Sequence, residues 1–257
     1  MKSIFQLSEQ HRAVLMSNPW FAGLPEELRE DIMARGQLRT LMPDECLCRR
    51  GEDPKGWYAV LEGAIRLSSV SCEGQESVMH FYDPGSWLGD LAMIDGLPRA
   101  YDSYAHLPSV LLQIRLADFV ELQQRHPVFR QQLLELQCRR VRYLLSIYEA
   151  ASTQALEKRL ASRLLILALG FGSNTSDGVV SIALHLPQET LAQLLGASRQ
   201  RINQVLKQWE ADGMIEQKYG RITLLDKPRL ERLAEECERP LREFGYDVPF
   251  GSARQFI

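Results

Sequence analysis

Residues 187–209 read PQETLAQLLGASRQRINQVLKQW, and this stretch decides the architecture. Pro187 suits the first turn of a helix whose inner face is Leu191, Leu194 and Leu195. Ala192 is small where a second helix would cross closely, and Gly196 suits the left-handed conformation that ends a helix. Ser198 is an N-cap residue for a second helix with Ile202, Val205 and Leu206 inward. Two short helices joined by a tight glycine turn make a helix-turn-helix.

The outer face of the second helix carries Arg199, Gln200, Gln204 and Lys207, with Arg201 and Asn203 at its flanks. Arg donates two hydrogen bonds to guanine O6 and N7, and Gln or Asn pairs likewise with adenine N6 and N7. The segment MIEQKYGRITLL that follows predicts two short strands joined by a Lys-Tyr-Gly-Arg turn, placing Lys218 and Arg221 to touch phosphate. A bland alternative makes the polar residues the wet side of an amphipathic helix. The succession helix, turn, helix, basic hairpin weighs against it.

Upstream of that motif, Ser152 or Thr153 offers an N-cap for TQALEKRLASRLLILALG, which should end at Gly170 before the strand-like VVSIALHL. Further back, PVFRQQLLELQCRRVRYLLSIYEAAS runs without Gly or Pro. Its Leu134, Cys138, Val141, Leu145 and Tyr148 alternate by four and three, a heptad seam. A second row, Leu133, Leu136 and Leu144, is left to pack on the preceding domain, so a parallel dimer seam is preferred over a helix packed only on its own domain.

Between Gln37 and Leu116, short apolar runs alternate with turns: WYAVLEG, AIRLSSV, ESVMHFY and SVLLQI have strand length, and Gly51, Gly63, Gly74 and Gly85 punctuate them. This spacing predicts an antiparallel barrel or sandwich. Its interior would draw on Trp57, Tyr58, Val60, Ile65, Leu67, Val78, Phe81 and Leu112, or on part of that set. Residues 8–36 read as short helices, with Pro25 at a first helical position, and LADFVELQQRH as another.

The 257 residues are 45% hydrophobic and 25% charged, a globular composition. No run of 18 apolar residues is present, and the N-terminal stretch has neither a hydrophobic region nor a cleavage site of the secretory kind. The five cysteines show only a C-x-C pair, Cys46 and Cys48, which favours reduced thiols and a cytoplasmic location. Net charge is -3, yet residues 153–230 carry 10 basic against 7 acidic side chains, whereas residues 1–152 carry 16 against 20. Only the rear part is suited to an anion. No nucleophile–base motif, phosphate loop or metal spacing points to an enzyme.

Across roughly residues 15–235 the chain resembles the superfamily of the cyclic-AMP receptor protein and the fumarate–nitrate reduction regulator (Crp/Fnr). The resemblance rests on ETLAQLLGASRQRINQVLKQWEADGMIEQKYGRITL, GEDPKGWYAVLEGAIRL, the Gly74 turn and GSWLGDLAMIDGLPRAYDS. It implies an α+β chain: a β-roll sensor over residues 1–126 with N-terminal helices, a long dimerisation helix over 127–152, a winged helix-turn-helix over 153–237 and a tail over 238–257. It further implies a homodimer that binds a two-fold related double-stranded DNA site and changes transcription, with RNA polymerase as a partner and no membrane association.

On this chain the resemblance assigns base contacts to Arg199, Gln200, Asn203 and Gln204, and phosphate contacts to Ser198, Arg201, Lys207, Lys218 and Arg221. Gln200 stands where the family usually has Glu, exchanging an acceptor for cytosine N4 for an amide suited to adenine. The effector positions are Gly89, Asp90, Arg99, Ala100, Leu144 and Leu145. Cyclic-nucleotide binders carry Gly-Glu-Leu, then Arg-Ser or Arg-Thr, and a Thr-Ser pair on the long helix. Here Asp90 is one methylene shorter, Ala100 donates no hydrogen bond, and Leu144-Leu145 replaces the Thr-Ser pair. Arg99 keeps an anionic effector open: cyclic AMP, another cyclic nucleotide or small anion, or no ligand, with no cofactor fixed. No cysteine set suits an iron–sulfur cluster, and His80 as a haem ligand is a weaker reading than a structural histidine. The competing functional class is a cyclic-nucleotide-binding module whose winged helix contacts protein.

Overall fold

The computed structural model describes residues 7–70, 72–74, 76–174 and 179–234, so the tail expected over 238–257 lies outside the described residues. These form two compact units that part between Arg139 and Arg140.

The first unit opens with three short helices, α1 (Glu9–Met16), α2 (Pro19–Ala22) and α3 (Glu26–Arg35). Pro25 precedes α3 at the cap position instead of sitting inside its first turn. The strands follow as β1 (Gln37–Leu41), β2 (Cys46–Cys48), β3 (Gly56–Glu62), β4 (Ile65–Val70), β5 (Glu76–Tyr82), β6 (Trp87–Leu88), β7 (Asp102–Ala105) and β8 (Ser109–Arg115). Helix α4 (Asp90–Asp95) interrupts them, and α5 (Leu116–Arg125) and α6 (Pro127–Thr153) close the series. Two four-stranded antiparallel sheets result, β1-β8-β3-β6 and β2-β7-β4-β5, forming an open roll in place of a closed barrel. Gly51, Gly63, Gly74 and Gly85 all hold positive φ, which explains their recurrence between strands.

The roll has two apolar layers. Between the sheets lie Leu41, Tyr58, Val60 and Leu111 from one and Leu47, Ile65, Tyr82 and Ala105 from the other. The opposite face of the first sheet presents Trp57, Trp87, Leu112 and Ile114 to Phe21, Phe119, Phe129, Leu133 and Leu136 of the helices. Trp57 and Leu112, expected in the interior, therefore point outward to the helices. Strand β3 is covered on both faces, so its run of six buried residues shows no alternation. Trp57 stacks on Trp87 at 3.9 Å between centroids, and Phe21 stacks on Trp87 at 5.2 Å. Asn18 ties the N-terminal helices down: its Nδ2 donates to the Gly85 carbonyl at 3.0 Å, and its Oδ1 accepts from the Phe21 amide at 3.1 Å.

Helix α6 continues past the expected boundary. Ser152 and Thr153 do not cap the next helix, α7 (Leu156–Phe171), but donate back to the Tyr148 and Glu149 carbonyls inside α6. Leu133 and Leu136 are buried against the roll, as expected of the second row. Leu144 breaks that row, being 57% exposed, because Arg140 and Tyr143 take the buried positions at that level. Leu134, Val141, Leu145 and Tyr148 are 54–73% exposed and Cys138 is exposed, a solvent-facing apolar stripe at heptad spacing.

The second unit contains the last turns of α6, then α7, β9 (Gly172–Asn174), β10 (Val180–Ile182), α8 (Gln188–Leu195), α9 (Arg199–Ala211), β11 (Ile215–Lys218) and β12 (Arg221–Leu224). The strand expected over VVSIALHL is limited to the three residues of β10. The small sheet runs β11-β12-β10-β9. No helix among the described residues is long and apolar enough to cross a membrane.

An ion-pair cluster joins α3 to α5. Arg35 meets Asp31 and Glu121 at 2.7 Å each, and His126 meets Asp31 at 3.0 Å. Burial pushes the Asp31 carboxyl up, but bonds from Arg35 and His126 outweigh it and hold the group below the usual carboxylate value of 3.8. A depressed carboxylate contributes stability in full above its unfolded pKa and loses it as pH falls through the folded value. Thermal unfolding of the roll should therefore become acid-sensitive below about pH 4, and Asp31→Asn should lower the neutral-pH Tm while flattening that acid limb, as followed by circular dichroism.

Candidate nucleic-acid interface

Helix α8 begins after Pro187, which holds the cap position with φ -55° and ψ 153° instead of the first helical one. It buries Leu191, Ala192 and Leu194 and ends at Gly196, whose φ of 58° is left-handed. There the Ala197 amide returns to the Ala192 carbonyl at 3.0 Å, and Arg159 of α7 donates to the Leu195 carbonyl at 2.9 Å. Ser198 then caps α9, its hydroxyl accepting from the Arg201 amide at 3.3 Å. Ile202, Val205, Leu206 and Trp209 are buried, which fixes the rotation of α9 about its axis. Arg199, Gln200, Arg201, Gln204 and Lys207 are consequently exposed.

Asn203 stands apart from this set. It is half-buried, and its Oδ1 accepts from Gln188 Nε2 at 3.0 Å, so it braces α8 to α9. The sequence reading missed a second brace: Glu210 Oε1 accepts from the Gln217 amide at 3.0 Å and joins the end of α9 to β11. A carboxylate seven residues from a hairpin amide carries no local pattern that would reveal it.

The hairpin β11–β12 pairs Lys218 with Arg221 across a two-residue turn. Both turn residues have positive φ, 50° at Tyr219 and 74° at Gly220, the arrangement that matches strand twist. A Cβ at Gly220 would lie 2.3 Å from the His185 ring, so the turn also needs glycine for space. Tyr219 is 98% exposed at the tip. Lys218 and Arg221 flank it, Lys218 being ion-paired with Glu216 at 2.6 Å.

In the roll, Arg99 is 7% exposed. Its two Nη groups donate to the carbonyls of Gly89 and Gly56, and its guanidinium lies 5.9 Å from the Tyr58 ring centroid. Gly89 is left-handed at φ 89°, and any side chain there would strike Arg99 Nη1 at 2.7 Å. Asp90 is buried at 1% exposure and accepts from Gln137 Nε2. Ala100 is exposed, and Leu144 and Leu145 are exposed on α6. Burial pushes Tyr58 up to about 12 and raises the neighbouring Cys48 thiol, which keeps that thiol protonated at neutral pH. His80 packs edge-on against Tyr82 at 4.8 Å. Among the described residues no group of three or more His, Cys, Asp and Glu side chains is placed to hold a metal ion.

An open antiparallel roll with an arginine beside a glycine-led short helix, followed by a winged helix-turn-helix, defines a two-domain regulator class. Comparison with known proteins gives the same division: residues 38–126 match the cyclic nucleotide-binding domain and residues 158–233 match the Crp-like helix-turn-helix domain. The chain belongs to the Crp/Fnr superfamily of transcriptional regulators. It is 26% identical to the CRP-like cAMP-activated global transcriptional regulator of Mycobacterium tuberculosis, over 72% of this chain and 82% of that one. It is also 26% identical to the transcriptional activator protein FnrA of Stutzerimonas stutzeri, over 80% of this chain and 82% of the relative. Among solved structures, a CRP/FNR-family regulator from Thermus thermophilus superposes with a TM-score of 0.59 at 27% identity, covering 77% of this chain and 98% of the other.

Arg99 holds two main-chain carbonyls and so ties the start of α4 to β3. Arg99→Met should destabilise the ligand-free roll by about 1–3 kcal/mol, read as a lower midpoint in urea or heat.

Proposed function

We propose that the protein is a dimeric, sequence-specific DNA-binding regulator whose α9 enters the major groove. The observation that carries this is the sorting of α9: its large apolar residues are all inward, while Arg199, Gln200, Gln204 and Lys207 share an exposed face. Arg199 lies in the first turn, where this docking mode brings side chains to base edges. Arg199, Gln200 and Gln204 read bases. Asn203 contributes to base reading by orienting the helix through Gln188. Ser198, Arg201 and Lys207 contact phosphate from the helix, and Lys218 and Arg221 contact it from the hairpin. Gln200 in place of an acidic residue shifts preference toward adenine at the base it meets.

On this reading residues 1–126 form the sensor, 127–152 the dimerisation helix and 153–237 the DNA-binding domain, with 238–257 as a tail. Two copies meet along Leu134, Cys138, Val141, Leu145 and Tyr148. The dimer places two α9 helices on half-sites about 34 Å apart. It works in the cytoplasm, engages RNA polymerase at its target promoters, and acts without catalysis. An anionic effector at Gly89, Asp90, Arg99 and Ala100 would have to draw Arg99 away from the Gly56 and Gly89 carbonyls, which disfavours an ordinary cyclic-AMP response.

Fluorescence anisotropy on sites selected from random duplexes tests the reading. Wild type should select a two-fold related site. The triple variant Arg199→Ala/Gln200→Ala/Gln204→Ala should lose at least about 100-fold in specific affinity while keeping nonspecific binding. Lys218→Ala/Arg221→Ala should weaken all sequences alike and lower the salt slope by nearly two. Equal selective binding by wild type and the triple variant would overturn the assignment.

A further inference from the structure

Within the second unit, a cavity of about 350 Å³ opens between α6, α7 and the end of α8. That is in the size range of small-molecule sites, roughly 300–1,000 Å³. Its walls are mostly apolar, led by Leu144, Ile147, Tyr148, Ile166 and Leu194, and no Asp or Glu lines it. Two arginines do, Arg159 and Arg163.

Arg163 is the informative one. It is 7% exposed, and among the described residues it has no hydrogen bond or ion pair. Unlike lysine or histidine, a buried guanidinium does not escape its charge by losing a proton. A mostly buried guanidinium on an apolar cavity wall, with no carboxylate lining that wall, is suited to pair with an anion that enters the cavity. Arg159 adds to the demand: it spends Nη1 on the Leu195 carbonyl, and its buried Nε has no partner. A bare inorganic anion would satisfy the charge but leave the apolar walls wet. An uncharged hydrocarbon would do the reverse.

We infer that this cavity is a binding site for a small amphipathic carboxylate, with Arg163 holding the carboxylate and the Leu144, Ile147 and Ile166 walls receiving an apolar body. The fork of Arg163 matches the two oxygens of a carboxylate. The site is separate from the roll cradle around Arg99, and it touches Leu194, Leu195 and Gly196, the turn that leads into α9. Binding there does not depend on how α9 reads DNA.

The test uses the full chain and a matched pair of probes, 4-phenylbutyrate and its uncharged analogue 4-phenylbutan-1-ol, in titration calorimetry. The carboxylate should bind once per chain, at least about tenfold more tightly than the alcohol, the discrimination expected of a charge-assisted pair. Arg163→Met should erase that preference while leaving the alcohol's affinity within about twofold. Ile166→Trp, which fills the cavity and keeps the arginine, should abolish binding of both. Circular dichroism confirms that each variant is folded, and a variant that is not is replaced by Arg163→Gln or Ile166→Phe. Equal affinity for acid and alcohol, absence of carboxylate binding, or an unchanged preference in folded Arg163→Met overturns the inference. So does a cavity filled by a second copy, seen as a monomer–dimer equilibrium in sedimentation that shifts with Arg163→Met while phenylbutyrate stays unbound.

Discussion

The rotation of α9 about its own axis is the constraint on which the functional surface depends. Four buried side chains, Ile202, Val205, Leu206 and Trp209, set that angle. A helix turns about 100° per residue, so a slip of one position would move Ile202 off the buried face and bring Arg201 or Asn203 into its place. The apolar contacts do not read anything; they decide which residues face outward. The two braces then remove the remaining freedom, Gln188 to Asn203 along one side and Glu210 to Gln217 at the far end. A rigid presentation of this kind lowers the ordering cost of any later contact.

The roll shows the opposite use of a charged residue. Arg99 is buried, and its guanidinium is engaged by the carbonyls of Gly56 and Gly89. Those carbonyls belong to β3 and to the residue before α4, so the guanidinium stitches the short helix onto the central strand. Asp90 is also buried and accepts from Gln137 of α6, which ties the start of α4 to the long helix. A small change in the same geometry separates a binding arginine from a structural one, because both roles need the fork buried and its donors satisfied.

The legible parts of the sequence were those governed by local periodicity. The helix-turn-helix followed from apolar residues at 191, 194, 195, 202, 205 and 206, and the hairpin from its Tyr-Gly turn. Strand positions were legible too, but facing was not. Trp57 and Leu112 sit in strands covered on both sides, where burial does not alternate and the inner face has no signature. Ser152 and Thr153 looked like caps because hydroxyls suit both a helix start and a bond back to the preceding turn. Only the neighbouring geometry separates the two. Glu210 and Gln188 were illegible for a simpler reason: their partners are tertiary.

Helix α6 carries two incompatible-looking patterns on one rod, and α-helical geometry reconciles them. Leu133 and Leu136 are three apart and fall on one face; Leu134, Cys138, Val141, Leu145 and Tyr148 advance by four and three along another. The first face is satisfied within the chain by the aromatic layer of Trp57, Phe129 and their neighbours. The second leaves five residues in water, a contiguous strip of the kind that monomeric proteins rarely tolerate. Covering the strip with an identical strip satisfies both copies at once, because a two-fold axis pairs each residue with its own kind or its neighbour. Such pairing would bury Cys138 at the centre and leave Leu144, one residue off the seam, at the edge of the cavity that Arg163 lines.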